Sequence, residues 1–185
     1  MWKKFLLAVL TVGATGVFAG DFDTEANPSK VFIGVQGGYS WVQGTHKKSA
    51  TDPSPDYNYK TSGLSYGLRL GAQNSEWRTM VTFDRFKNDE VGYLLGQIHA
   101  DYLLHFLDGY TEMGIKPFLG VNGGYGNYEA KGGVSENGFT YGGEAGVIFD
   151  ATENIDVDVA FQYTLSSAKA FDHVGSVKLG INYKY

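Results

Sequence analysis

Apolar and polar residues alternate along the final stretch of the chain. In residues 177–185 the odd positions hold Val, Leu, Ile, Tyr and Tyr, whereas the even positions hold Lys, Gly, Asn and Lys. Because successive side chains of a β-strand point to opposite faces, this pattern predicts a strand with one apolar face and one polar or small face.

Seven earlier segments alternate in the same way, and turn-forming residues separate them. The predicted strands span residues 31–42, 59–73, 76–86, 92–107, 116–128, 138–150, 154–165 and 173–185. The links after strands 1, 5 and 7 are long, whereas the turns near residues 73–75 and 151–153 are tight. If both termini lie at one end of the barrel, the three long links lie at the opposite end. The link at 108–113 is an exception, because it lies at the same end as the termini but is not tight. Eight such strands predict an all-β, antiparallel, up-and-down barrel.

A short internal repeat supports this prediction. Residues 32–39 read Phe-Ile-Gly-Val-Gln-Gly-Gly-Tyr, and residues 118–125 read Phe-Leu-Gly-Val-Asn-Gly-Gly-Tyr. The two segments belong to predicted strands 1 and 5, which lie half a barrel apart and run in the same direction.

Side-chain volume favours an apolar face that points outward. The interior of an eight-stranded barrel is only wide enough for side chains to fill it. The apolar face carries Trp41, Trp77 and many Tyr, Phe and Leu residues, whereas the opposite face is rich in glycine and poor in the Lys and Glu of a soluble surface. We therefore expect lipid around the barrel. The alternative is a soluble lipocalin-like periplasmic binder, because such barrels alternate too.

The beginning of the chain has the features of an export signal. Lys3 and Lys4 precede a mostly apolar run, and Val17-Phe18-Ala19 is a small-x-small cleavage site. The sequence predicts a signal peptide over 1–19, a periplasmic leader over 20–30 and a barrel over 31–185. A membrane anchor is the alternative for 1–19, although its apolar run is short for a bilayer span.

Composition and charge exclude some kinds of site and argue against one class of partner. The chain of 185 residues has no Cys, which excludes disulfides and a Cys-based metal site. Without Lys3 and Lys4 it has 15 − 2 = 13 basic and 20 acidic residues, a net charge of 13 − 20 = −7. This balance argues against nucleic acid as a partner.

The alternating last strand that ends on an aromatic residue resembles the C-terminal strand of bacterial outer-membrane barrels. Residues 117–126 also resemble a strand of the small OmpA/OmpX/Opa-type barrels. The resemblance implies an eight-stranded transmembrane barrel in the bacterial outer membrane, surrounded by lipid and lipopolysaccharide. It also implies that the barrel-assembly machinery reads the last strand. The link after strand 1 carries Lys47 and Lys48, which suit lipopolysaccharide phosphates or a host or surface ligand, and the alternative is a solvated loop without a ligand.

Aromatic residues of the apolar face fall into two predicted belts, one near each lipid–water interface, where amphipathic rings are favourable. The outer belt comprises Tyr39, Trp41, Tyr66, Tyr125, Tyr141 and Tyr163, and the inner belt comprises Trp77, Tyr102, Phe149, Tyr183 and Tyr185.

The polar face predicts an ionic network inside the barrel, because buried charges must be paired or hydrated. Its predicted members are Arg69, Arg78, Asp84, His99, Asp101, Glu144, Asp158 and Lys178. The network either plugs the lumen, or its cations exchange partners and open a path for small ions.

Candidate chemistry is sparse. His99, Asp101 and His105 share one face of predicted strand 4, so they form either a metal or general-base site or part of the lumen network. Small lipid A hydrolases carry an H-x-S-N pattern, but Ala100-Asp101-Tyr102 follows His99. We expect no catalytic residue, cofactor or metal. The predicted role is structural or loop-mediated, and the alternatives are a lipid A- or phospholipid-modifying enzyme and a small-ion channel.

Overall fold

Eight antiparallel strands close into one barrel in the order of the chain. The computed structural model describes residues 28–46, 57–89, 91–105, 114–130, 134–168 and 171–185. The strands are β1 (Lys30–His46), β2 (Tyr57–Gln73), β3 (Trp77–Lys87), β4 (Val91–Leu103), β5 (Ile115–Ala130), β6 (Val134–Asp150), β7 (Ile155–Ser166) and β8 (His173–Lys184). The predicted fold class is confirmed. No helix in the described residues is long and apolar enough to cross a membrane.

Several sequence predictions fall on parts of the chain that the structure does not describe. The predicted signal peptide, 1–19, lies outside the described residues, and so do residues 20–27 of the predicted leader. The lysine- and proline-containing link at 47–56 also lies outside them.

The predicted extent of strand 4 is wrong. β4 ends at Leu103 rather than at residue 107, because β3 begins at Trp77 and pairs with Tyr102. The amide of Leu103 donates to the carbonyl of Glu76 in the turn before β3, so little of β3 remains to pair with the chain beyond this point.

The predicted loop after strand 5 is also wrong. Residues 129–137 were expected to form a long link, but β5 and β6 pair as far as Ala130 and Val134. Polar residues, Glu129, Ser135, Glu136 and Asn137, predominate in this part of the hairpin, so alternation does not reveal it. Backbone hydrogen bonds hold the two strands together there regardless of side-chain polarity.

The strands differ in length, and this gives the two ends of the barrel different shapes. The terminal end carries Lys30, Lys184 and the tight turns at 74–76 and 151–154. The opposite end is called here the hairpin end, because the β1–β2 and β5–β6 hairpins extend there. Their strands are 16 or 17 residues long, whereas β3, β4, β7 and β8 have 11 to 13.

The apolar face of the barrel points outward, as predicted. Leu68 is 61% exposed and Val121 is 65% exposed, whereas Glu144 and Lys178 are less than 10% exposed. A continuous apolar exterior of this size requires a lipid environment. The soluble lipocalin-like alternative is wrong, because its apolar residues would line the cavity.

Candidate functional site in the lumen

Charged side chains from across the barrel meet inside it. The guanidinium of Arg69, on β2, lies 2.5 Å from Asp158 Oδ2 on β7. Arg78, on β3, reaches the same oxygen at 3.2 Å. One carboxylate therefore pairs with two cations that arrive from the opposite wall.

Arg78 has two further partners in the lumen. Its Nε donates to Asp101 Oδ2 at 2.8 Å, and its guanidinium carbon lies 4.4 Å from the centre of the Phe118 ring. The side chains of Arg78, Asp101 and Asp158 are all 0% exposed. Removing Arg78 would take away the cation that Asp101 contacts, and removing either carboxylate would leave the buried Arg78 with one counter-charge instead of two.

A second ionic contact lies nearer the hairpin end of the lumen, six residues beyond Arg78 along β3. Lys178 Nζ, on β8, donates to Asp84 Oδ2 at 2.7 Å, and the Gln36 amide donates to Asp84 Oδ1 at 2.5 Å. The Gln36 carbonyl in turn accepts hydrogen bonds from Arg69. Gln36 therefore connects the two ionic groups into one network.

His99 belongs to this network through Glu144. Its Nδ1 lies 2.5 Å from Glu144 Oε1, and its Nε2 lies 3.0 Å from the hydroxyl of Thr82. Both imidazole nitrogens are thus used by protein groups. His105 does not join His99 and Asp101, because it follows the end of β4 and is exposed. No group of metal-binding residues occurs among the described residues.

All eight residues of the predicted ionic network therefore lie in the lumen. Six of them form ion pairs, and His99 contacts the carboxylate of Glu144 at hydrogen-bonding distance. Glycines on nearby strands make room for them. A Cβ atom at Gly180 would collide with the guanidinium of Arg69, and one at Gly120 would collide with the carboxylate of Asp101.

Sequence reasoning missed the apolar clusters inside the lumen. Toward the hairpin end, rings and aliphatic side chains form a buried cluster, and a smaller one lies toward the terminal end. The first comprises Val42, Phe86, Val91, Tyr93, Leu95, Tyr128, Ala168, Phe171 and Val174, and the second comprises Leu103, Phe118, Ile148 and Ala160. Alternation within a strand could have revealed them: Leu119 faces outward, so its neighbour Phe118 must face inward.

Phe171 reaches the lumen from the link after β7. Its ring stacks on Tyr128 with centroids 4.1 Å apart, and it contacts Tyr59 edge-on at 5.9 Å. A link residue carries no alternation signal, so the sequence did not indicate this contact. The link thus contributes a buried ring to the hairpin end of the lumen.

The predicted aromatic belts lie on the outer wall at two levels. Tyr39 pairs with Val177, six residues from Tyr183 along β8, or about 20 Å of strand. Rings contact one another within each belt: Trp77 and Tyr102 lie 5.0 Å apart, and Tyr183 and Tyr185 lie 6.5 Å apart. Exposed members are Tyr39, Tyr66, Trp77, Tyr102, Tyr141, Tyr163, Tyr183 and Tyr185, whereas Trp41, Tyr125 and Phe149 are partly buried.

One histidine lies on the lipid-facing side near the hairpin end, where an enzyme of this shape would need one. It is His173, whose ring lies 5.2 Å from that of Tyr163. Within the described residues, no serine hydroxyl or carboxylate hydrogen-bonds this imidazole. The arrangement therefore lacks the base–orienter contact of a nucleophilic site.

Comparison with known proteins relates this fold to small outer-membrane barrels. No protein-family model matches the sequence, and no curated protein matches it. Among solved structures, Neisserial surface protein A is similar at a TM-score of 0.60 and 19% identity, covering 84% of this chain and 97% of that chain. Outer membrane protein H (OprH) from Pseudomonas aeruginosa gives 0.57 and 18%, covering 84% and 99%.

A third match is the N-terminal β-barrel domain of Pseudomonas aeruginosa OprF, at a TM-score of 0.52 and 10% identity, covering 82% of this chain and 97% of that chain. These matches span nearly the whole length of each barrel, and together with the apolar exterior they agree with the predicted outer-membrane location. By its fold, the chain is an eight-stranded antiparallel β-barrel similar to those of small outer-membrane proteins.

Proposed function

We propose that the protein is a sealed outer-membrane barrel whose role is structural or is carried by its two long hairpins. The observation behind this proposal is the filled lumen. Arg78, Asp101 and Asp158 cross it with no exposed area, and apolar clusters lie on both sides of them.

A small-ion path would require this packing to be taken apart. An ion would have to pass the stacked rings of Tyr128 and Phe171, separate Arg78 from Asp158, and then pass Phe118. Breaking a buried ion pair costs several kcal/mol, about 3–5 in known cases. The structure therefore favours a plug over a gated channel.

The long hairpins are the parts of the barrel best placed to meet a ligand outside the membrane. β2 pairs with β3 only as far as Ser65, so its residues 57–64 extend beyond that neighbour. β6 pairs with β7 only as far as Thr140, so its residues 134–139 extend likewise. We propose that these extensions, together with the loops they carry, contact lipopolysaccharide or a host or surface ligand.

We further propose that the protein is not an enzyme, and that the barrel-assembly machinery reads the last strand. The first proposal is supported by the lack of a catalytic partner for His173 among the described residues. The second is supported by the alternation of β8 and the aromatic Tyr185 that follows it.

Planar-bilayer recording of the purified barrel tests the central proposal. We expect no discrete conductance steps from the wild-type protein, and steps only when the plug is weakened, as in Arg78→Ala. Steady wild-type conductance that changes in Arg69→Ala would instead establish a channel. Lipid A mass spectra with and without the protein test for enzymatic activity, and we expect identical spectra.

A further inference from the structure

A cleft of about 300 Å³ lies on the outer wall of the barrel, toward the hairpin end of β3, β4 and β5. Its lining includes Arg85 of β3, Gly92 and Leu94 of β4, and Asn127 and Glu129 of β5. Leu94 pairs with Arg85 on one side and with Asn127 on the other, so the cleft spans three adjacent strands. These positions share the outward face with the exposed apolar residues, so the cleft is separate from the lumen.

The lack of a side chain at Gly92 gives the cleft its depth. Lys87 pairs with Gly92 on one side, and Glu129 pairs with it on the other. A Cβ atom at Gly92 would meet its nearest atom, the carbonyl oxygen of Phe86, at 3.5 Å, with Lys87 Cγ at 3.9 Å and Glu129 Oε2 at 4.0 Å. The position is therefore a notch between a cation and an anion, and a larger residue would fill it without distorting the wall.

Two cations of β3 border this cleft without a counter-charge. Arg85 and Lys87 are exposed, and neither forms an ion pair with another residue that the structure describes. Glu129, which is also exposed, forms no ion pair within the described part of the chain either. Outward positions two residues apart on a strand lie about 7 Å from each other. A single anion with several oxygens can therefore contact both cations.

Aromatic residues beside the cleft fix its level in the membrane. Tyr66, of the outer aromatic belt, pairs with Arg85, and Phe83 precedes Arg85 by two residues on the side of the terminal end. Aromatic belts of transmembrane barrels lie at the lipid–water interface. The two cations therefore lie at the level of the lipid headgroups, and a group that enters the cleft from this side belongs to a lipid.

Phosphate is the headgroup anion that suits this pair of cations. A guanidinium such as that of Arg85 binds two phosphate oxygens at once, and the ammonium of Lys87 binds phosphate as a point charge. A phosphomonoester carries about −1.5 to −2 charges at neutral pH and three free oxygens. A phosphodiester carries a single charge and fewer free oxygens, so the monoester gains more from two cations.

We propose that this cleft binds a lipid with a phosphomonoester headgroup. The phosphate lies between Arg85 and Lys87, the notch at Gly92 accommodates the group that bears it, and the acyl chains lie on the apolar wall past Leu94. Glu129 repels the anion and limits the affinity. This site goes beyond the proposed function, because it lies on the wall of β3 to β5 and does not depend on what the long hairpins bind.

Native mass spectrometry of the full chain, released from detergent micelles, tests the proposal with phosphatidic acid as the monoester and phosphatidylglycerol as the diester. We expect saturable binding of one phosphatidic acid molecule, about tenfold tighter than that of phosphatidylglycerol. Arg85→Gln combined with Lys87→Gln should weaken it about tenfold. Lys60→Gln, at an exposed lysine on β2 outside the cleft, is the matched control and should leave it unchanged. Lipid A, whose phosphates are also monoesters, is the second arm, and the lipid that binds more tightly identifies the source.

Two further variants separate the shape of the cleft from its charge. Gly92→Leu fills the notch and keeps every charge, so we expect binding about tenfold weaker. Gly143→Leu, at an outward glycine on β6 away from the cleft, is its matched control. Glu129→Gln removes the repulsion and should strengthen binding severalfold. Heat-modifiable gel mobility verifies that each variant is folded.

Several results would overturn the proposal. They are the absence of saturable binding to the wild-type protein, equal affinity for phosphatidic acid and phosphatidylglycerol, and an unchanged affinity in the folded double variant of Arg85 and Lys87. Weaker binding in Glu129→Gln would show that the site recognises a cation, and displacement by an equal concentration of inorganic phosphate would show that the lipid contributes nothing. Because Arg85 and Lys87 are exposed, their substitution should not disturb folding, so the double variant keeps the test valid if Gly92→Leu fails to fold.

Discussion

The two halves of the barrel share a pattern of rings and glycines but carry opposite charges at two equivalent inward positions. Phe32 in β1 pairs with Gly71 in β2, and Phe118 in β5 pairs with Gly146 in β6. Two residues further along the odd-numbered strands, Gly34 lies opposite Arg69, whereas Gly120 lies opposite Glu144. The repeat therefore preserves the positions of rings and glycines but reverses the charge.

The next strands continue this reversal. Met80 pairs with Gly71 and Ala160 pairs with Gly146, so Arg78 and Asp158 occupy equivalent positions. These two residues form an ion pair across the lumen. Glycines and rings therefore determine the packing within each half, whereas an ion pair between equivalent positions connects the two halves.

The largest effect is expected from removing the charge shared between the halves. Asp158→Ala leaves Arg69 and Arg78 without that carboxylate, and we expect a loss of about 3–5 kcal/mol in the free energy of unfolding. Urea unfolding in lipid vesicles measures it. Asp150→Ala, at the half-exposed rim, is the control and should cost much less; equal losses would contradict the account.

The losses of unfolding free energy at the two equivalent rings should differ from each other by less than those of Asp158→Ala and Asp150→Ala. Phe32→Ala and Phe118→Ala each remove a buried ring, for which we expect losses of about 3–4 kcal/mol. Phe118→Ala should cost more, because Arg78 also lies over that ring. If Phe32→Ala proves the more damaging in urea unfolding, the contact between Arg78 and Phe118 contributes nothing.

Glycines at equivalent inward positions should be similarly intolerant of a side chain. Gly34→Val and Gly120→Val would press against Asn182 and Asp101, respectively. We expect each to cost about 1–3 kcal/mol by overpacking. Gly143→Val on the outward face meets its nearest atom at 3.5 Å and is the matched control. Heat-modifiable mobility, compared across the three variants, shows whether the inward positions are special.

The smallest effect is expected at the terminal rim. Lys116→Gln removes a partly exposed ion pair with Asp150, and Lys184 still donates to that carboxylate. Such pairs contribute about 0–1 kcal/mol, and salt screens them. Unfolding in low and high salt should therefore show a small difference that vanishes at high salt. A loss as large as that of Asp158→Ala would contradict the distinction between rim and lumen.

The sequence predicted the wall of the barrel well, because alternation records directly which side chains face lipid. It also indicated which charged side chains share the inward face, and charged side chains on that face can only meet inside. It could not predict their pairings: Arg69 meets Asp158 from five strands away in the chain, and only closure of the barrel brings them together.

The sequence did not reveal features at positions where apolar and polar residues do not alternate, or where an inward residue is itself apolar. Residues 135–137 are polar on both faces because they extend beyond the apolar band, so the β5–β6 hairpin looked like a loop. Phe171 comes from a link, and the inward Phe118 sits beside outward apolar residues. Alternation along β5 already places Phe118 inward, whereas the hairpin and Phe171 are recognised only from contacts between strands, which single-strand patterns do not contain.

Cysteine labelling of two consecutive residues tests the central claim, that the apolar wall faces lipid around a sealed lumen. The natural chain has no cysteine, so Val121→Cys and Asn122→Cys each provide one thiol on opposite faces of β5. Val121 is 65% exposed and Asn122 is 5% exposed. In folded barrels in brominated-lipid vesicles, a lipid-soluble fluorescent maleimide should label residue 121 and be quenched there. Residue 122 should react only after unfolding. Rapid labelling of residue 122 in the folded barrel, with residue 121 protected, would contradict the account.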